Sequence, residues 1–154
     1  MDVQQFVQKI LEHAGVNQAE VALAESEKEI VVSIKVSEEE AGLLVGRHGE
    51  TLTAVQRLAR VLYGQNNAEK RLVVDINDYR AKRLDNIRSL LITAADKVLE
   101  TGQPTTLNTY LSPSERFFVH STLGEDPKYV ELESFSIGED RGRRIVIQPK
   151  ENQA

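Results

Sequence analysis

The chain has 154 residues, 40% of them hydrophobic and 28% charged, with a formal net charge of −5 and no cysteine. That is enough for one ordinary domain or two small ones, and it excludes a disulfide scaffold, a thiol nucleophile and a thiolate zinc site. No apolar run approaches the roughly 18 residues of a bilayer span, and the first residues lack the basic and apolar regions of a signal peptide, so the sequence reads as soluble and cytoplasmic.

Residues 3–13 place Val3, Phe6, Val7, Ile10 and Leu11 at helical spacing, with Gly15 as a C-terminal stop. Residues 20–25 alternate weakly, and Ile30, Val32, Ile34 and Val36 alternate cleanly, which predicts two strands with the polar run 25–29 as a hairpin turn. Ser37 and Glu40 match a capping box that opens a short helix ending near Val45. Gly46-Arg47-His48-Gly49 interrupts it. A second helix follows, with Leu52, Val55, Leu58, Ala59 and Leu62 expected on one side and Gly64 at its end. Leu72, Val74 and Ile76 predict a third strand.

A long helix is expected from Asp78 to about residue 101, with Leu84, Ile87, Leu91, Ala94 and Val98 on its buried face and Gly102 and Pro104 to stop it. Ser112-Pro-Ser-Glu115 is a second capping box with proline at the first helical position, and that helix should run to about Leu123. Phe117, Phe118 and Val119 read mainly as core. Two strands, 129–135 and 143–148, complete the prediction. The element order suggests an α+β chain of two domains, 1–77 and 78–154, with the long helix 78–101 joining them.

The charge is unevenly spread. Residues 1–77 carry 8 Lys/Arg against 12 Asp/Glu, and residues 78–154 carry 11 against 12. The arginines cluster at Arg57/Arg60, Arg80/Lys82/Arg83 and Arg141/Arg143/Arg144. Screening confines each patch to roughly 8–10 Å, so cationic patches on an acidic body are compatible with an anionic partner.

Two motifs carry chemistry. Nine glycines in this length produce about half a G-x-x-G by chance, so Gly46-x-x-Gly49 gains its weight from position. Between two short helices, a glycine pair allows a tight turn and close backbone approach, while the next helix N-terminus favours an anion that Arg47 can also bind. A plain helix–turn–helix corner is the competing reading. Arg116-x-x-x-His120 is expected about 0.2 times by chance; on a helix the two side chains share a face and can converge on one phosphate or base edge. A solvated arginine beside a core histidine is the bland alternative.

The order helix-strand-strand-helix-GRHG-helix-strand resembles a type II KH domain (αββααβ), with GLLVGRHGETLTAVQRLARVLYG as its signature. LSPSERFFVHSTL resembles the R-three-H domain, a small α+β unit named for the spacing that Arg116 and His120 supply. The two in succession, closing on SIGEDRGRRIVIQP, are similar to the Jag (KhpB) family of bacterial RNA-binding proteins over roughly residues 3–148.

The resemblance implies single-stranded RNA binding, with single-stranded DNA also allowed. Gly46, Arg47, His48 and Gly49 would clamp the backbone, and Leu44, Val45, Thr51 and Leu52 would form a groove floor with strand 30–36 opposite. Arg116 and His120 would form a second site, extended electrostatically by Arg141, Arg143 and Arg144. Two weak sites on one strand gain through effective concentration.

A smaller KH-domain protein and peripheral association with a membrane insertase are further partners the family implies, as is post-transcriptional control linked to cell-envelope growth and division. Family members often carry an additional N-terminal domain and linker, whereas this sequence opens almost on the first KH helix, either as a naturally short member or by trimming.

Competing classes remain in view. No cofactor or catalytic centre is expected, because His13, His48 and His120 lie on separate elements without metal-ligand spacing and no phosphate-loop or nucleophile-elbow motif occurs. A KH fold retained as a protein-interaction scaffold is the main alternative, though a scaffold has no need of Arg47 between two glycines. Double-stranded DNA fits less well, since a narrow apolar groove suits splayed bases.

Overall fold

The structure, a computed structural model, describes residues 2–64 and 69–151. It divides into two compact units, Met1–Arg80 and Ala81–Ala154. The first runs α1 (Val3–His13), β1 (Glu20–Glu25), β2 (Glu29–Lys35), α2 (Glu38–Val45), α3 (Glu50–Gly64) and β3 (Arg71–Ile76). Its sheet has the order β1-β2-β3, with β1 antiparallel and β3 parallel to β2.

Register explains the core. Ile30, Val32 and Ile34 stand opposite Leu72, Val74 and Ile76, so one pleat face presents six branched aliphatic side chains. Val3, Val7 and Leu11 of α1, Ala41, Leu44 and Val45 of α2, and Leu52 and Ala59 of α3 close over them. Burying a Val, Leu or Ile side chain of this kind contributes about 1.5–3 kcal/mol. Asn77 then locks the strand ends: its side chain accepts from Val36 N and donates to Val36 O, while its amide donates to Ile34 O. Asn77 and Asp78 both take positive φ, so α4 starts at Tyr79 rather than at Asp78.

On α3 the apolar positions do not all face inward. Leu52, Gln56 and Ala59 are buried, whereas Leu58 and Leu62 are exposed beside Val61. The helix is apolar around much of its girth, so periodicity alone does not select the face; the amide of Gln56 does, by accepting from Val74 N at 3.1 Å.

The second unit is built on α4 (Tyr79–Thr101), β4 (Thr105–Leu107), α5 (Pro113–Glu125), β5 (Leu132–Ile137) and β6 (Arg144–Pro149), with an antiparallel sheet in the order β4-β6-β5. Ile87, Leu91, Ala95 and Val98 of α4 pack with Val119 and Leu123 of α5 and Ile145 and Ile147 of β6. Leu84, expected inside, is exposed because this core covers the helix only from Ile87 onward. The strand expected at 129–135 begins at Leu132, since Pro127–Tyr129 forms a short 3-10 turn capped by Asp126. Tyr129 is nevertheless buried, and its hydroxyl donates to Asp96 at 2.8 Å. The short strand β4 carries too few residues to show an alternating pattern.

Phe117 is 72% exposed, against the expectation that it is core. The inward face of α5 is the Val119/Leu123 pair, and Phe118 flanks it with the Arg88 guanidinium 5.4 Å from its ring centre. That leaves Phe117 pointing outward.

Candidate nucleic-acid interface

Both capping boxes form, and each fixes the start of a motif-bearing segment. Ser37 accepts from Glu40 N while the Glu40 carboxylate accepts from Ser37 N, opening α2. The helix ends on Gly46 at φ +73°, ψ −176°, backbone that essentially only glycine adopts. A Cβ there would lie 2.1 Å from the Thr51 hydroxyl oxygen, so the turn closes only around a bare Cα. One 3-10 turn, Arg47–Gly49, follows, with His48 held in the left-handed region at φ 53° and Gly49 at φ +79°. A Cβ on Gly49 would sit 3.1 Å from the Tyr79 ring.

Arg47 and His48 are exposed between these two glycines, and the 15-residue α3 begins immediately afterwards. The turn therefore combines a cation, an imidazole and a helix N-terminus, ingredients of phosphate binding, while the two glycines let it close against Thr51 and Tyr79. Glu50, in the first turn of α3, is the one charge there of opposite preference.

The expected groove floor lies mostly below the surface. Leu44, Val45 and Leu52 are buried, while Thr51 is exposed with its hydroxyl tucked beneath Gly46. Leu43, 76% exposed on α2, is the apolar side chain this region shows to solvent. Sequence reasoning missed it, although helical spacing sets Leu43 off the Ala41/Leu44/Val45 face. The strand alongside α3 is β3, not strand 30–36: β2 is the middle of the sheet, and Arg60 and Gln56 of α3 bond to Leu72 and Val74 of β3.

In the second unit, Ser112 and Glu115 cap α5 with Pro113 at its first position. Glu115 also pairs with Arg83 at 2.9 Å, and Arg83 donates to Tyr110 O at 2.9 Å, so Arg83 is a largely buried tie rather than part of a surface patch. Arg116 donates from Nη1 to Leu111 O at 2.7 Å, and one turn on His120 Nδ1 lies 2.7 Å from Ser134 Oγ on β5. His120, Ser134, Ser136, Arg143 and Lys150 help line an open hollow of about 550 Å³. Arg144 donates from Nη1 to Arg141 O and Arg143 O, clasping the β5–β6 turn, so of this trio Arg143 is the member beside His120 in the hollow.

Burial, then the charges of Arg116 and Arg143, hold the His120 imidazole below its usual pKa. The folded state therefore binds this proton less readily than the unfolded chain. Stability from this group is complete above about pH 6.5 and is lost as the pH falls through the depressed folded value. We expect the unfolding temperature to drop from about pH 7 to about pH 5, and to drop less in His120→Gln. Thermal melts across that range check it; parallel profiles for the two proteins would contradict the assignment.

No helix among the described residues is long and apolar enough to cross a membrane, and no group of three or more His, Asp or Glu among them is placed to hold a metal.

Comparison with known proteins matches two domain families in succession: the KhpA/KhpB KH domain at residues 2–76 and the R-three-H domain at residues 85–149. The chain is 33% identical over 146 residues to the RNA-binding protein KhpB of Bacillus subtilis, covering 94% of this chain and 68% of that one. It is 32% identical over 127 residues to the protein of the same name from Clostridium symbiosum, covering 82% of this chain and 54% of the relative. The Lactiplantibacillus plantarum protein of that name is 34% identical over 107 residues, 69% of this chain and 32% of the relative. In each case the match spans only part of the relative's own length.

Proposed function

Because the chain belongs to the KhpB family, we propose that it binds single-stranded RNA in the cytoplasm and catalyses no reaction. The observation that carries this reading is the GRHG turn: positive-φ backbone at both glycines, two exposed polar side chains between them and a helix N-terminus behind. Gly46, Arg47, His48 and Gly49 hold phosphates, and Leu43 and Thr51 offer contacts to a base or sugar. Arg116, His120 and Arg143 form the second contact, with the hollow beside Ser134 receiving a phosphate or base edge and Arg141 adding charge. Arg144 supports it through the turn backbone.

Fluorescence anisotropy with a labelled single-stranded RNA tests the reading, with single-stranded DNA and duplex RNA as competitors. Binding should prefer the single strand and weaken with salt at a slope of about −0.7 per phosphate contacted. Binding to duplex equal to that of the single strand would contradict it. In the same assay Arg116→Ala should weaken binding about threefold to tenfold. An unchanged affinity would leave α5 with a structural role only.

A protein partner is favoured by one observation, the exposed Leu58, Val61 and Leu62 on α3, an apolar strip suited to a small KH-domain protein. Peripheral association with a membrane insertase, and post-transcriptional control tied to envelope growth and division, belong to the same family-based reading.

A further inference from the structure

The second unit departs from its own core chemistry on one strand. On the side of β5 that meets α5, Leu132 belongs to the core, but the next two positions are Ser134 and Ser136. Their partners across the sheet, Ile147 and Ile145, are completely buried. Two hydroxyls therefore stand where the pleat calls for aliphatic side chains, and both line the hollow beside His120. That β5 is an edge strand accounts for polar residues there, but not for the bond that Ser134 makes.

Ser134 Oγ lies 2.7 Å from His120 Nδ1, which leaves Nε2 as the ring atom for a ligand in the hollow. A hydroxyl suits either form of the ring. It donates to the bare Nδ1 of a neutral tautomer and, after rotating, accepts from the Nδ1–H of the imidazolium. A backbone carbonyl in its place would only accept, and a carboxylate would hold the ring charged. In the free protein the surroundings favour the neutral form: burial first, then Arg116 on the same helix and Arg143 before β6. Lys150 lines the hollow too, and the carboxylate of Glu133, on the other face of β5, accepts from Gln148 Nε2 at 2.7 Å. On the packed helices Glu115 pairs with Arg83, Asp85 with Arg88, and Asp96 with Lys128 of the 3-10 turn. Among the described residues no carboxylate lies within ion-pair distance of His120, Arg116 or Arg143.

We propose that the second unit takes up a proton at His120 as it binds an RNA phosphate in this hollow, and that Ser134 is the positioning residue that serves both charge states of the ring. The uptake rests on the RNA binding proposed above. A phosphate supplies the missing negative charge, offsets Arg116 and Arg143, and makes Nε2–H a charged donor while Nδ1 stays bonded to Ser134. The proton comes from solvent, and no bond of the RNA changes. Proton and phosphate then bind cooperatively, and the linkage is reciprocal: acid strengthens RNA binding as far as RNA raises the proton affinity of the ring.

The ring-carbon protons of His120 report its titration by NMR from about pH 5 to about pH 8, in the free chain and in the chain saturated with a short single-stranded oligouridylate. Saturation should raise the midpoint by about one pH unit or more, and affinity should rise about threefold to tenfold from about pH 8 to about pH 6. RNA that saturates the chain and leaves the midpoint unmoved would overturn the proton uptake alone. A chain that binds no RNA would overturn the function proposed above, and the uptake with it. Ser134→Ala and Ser134→Thr test the positioning role, since threonine keeps the hydroxyl and suits a strand. The alanine variant should bind about threefold more weakly at about pH 6 and respond less to pH, and threonine should restore both. An alanine variant with the wild-type affinity and pH profile would overturn the role of Ser134.

Discussion

Replacing Arg47 and His48 together by aspartate should abolish RNA binding by the first unit and leave its fold unchanged. Two charge-assisted contacts to phosphate are each worth about 1.5–3 kcal/mol, so their loss weakens binding by at least two orders of magnitude before the repulsion of two new carboxylates is added. The fold should not notice. Both side chains are exposed, and aspartate tolerates the left-handed conformation that His48 adopts better than most residues do. Stability should stay within about 0.5 kcal/mol of wild type. Anisotropy and urea denaturation on the same preparation check both halves. A variant that unfolds normally and binds RNA like the wild type would remove the turn from the interface.

The largest expected loss of stability is at Gly46. In Gly46→Ala the new Cβ meets the Thr51 hydroxyl at 2.1 Å, and φ +73° with ψ −176° is strained for any side chain. The strain alone costs about 1–3 kcal/mol, and relieving the contact requires Thr51 or the turn to move. For a unit of this size each kcal/mol lowers the melting temperature by about 4–8 °C, so a fall of about 10–20 °C is expected. Gly49→Ala should cost less, because its contact is 3.1 Å from an aromatic edge. Thermal melts of both variants test the order; Gly46→Ala melting within about two or three degrees of wild type would show that the turn is not sterically fixed.

Much of the fold was legible where local chemistry and tertiary structure agree. Ser37/Glu40 and Ser112/Glu115 are helix starts in the sequence and in the structure, since each box satisfies its own orphan amides whatever packs nearby. The alternation of Ile30, Val32 and Ile34 likewise reports a half-buried strand directly. What the sequence hid depends on partners distant along the chain. Gln56 is inside, and Leu58 outside, because of an amide on Val74. Phe117 is exposed because α5 turns Val119 and Leu123 to the core, a choice that three consecutive apolar residues leave open.

The site shows the same division. The spacing of Gly46 and Gly49, and of Arg116 and His120, was visible, but the left-handed backbone of His48 was not. Strand 30–36 was a reasonable groove wall until the parallel pairing put β3 at the sheet edge beside α3. The arginine runs looked alike in sequence and divide in the structure. Arg83 and Arg144 are bound to backbone and carboxylate partners, Arg143 lines the hollow with His120, and Arg60 and Arg80 converge on one strand edge.

The central claim is that the GRHG turn holds the phosphate backbone of single-stranded RNA. It is tested most directly by two-dimensional amide NMR of the full chain during titration with a short single-stranded oligouridylate. The amides of Gly46 through Thr51 should shift together and saturate with the binding isotherm, along with those around Arg116 and His120. Saturable RNA binding that leaves the Gly46–Thr51 amides unmoved would contradict the account.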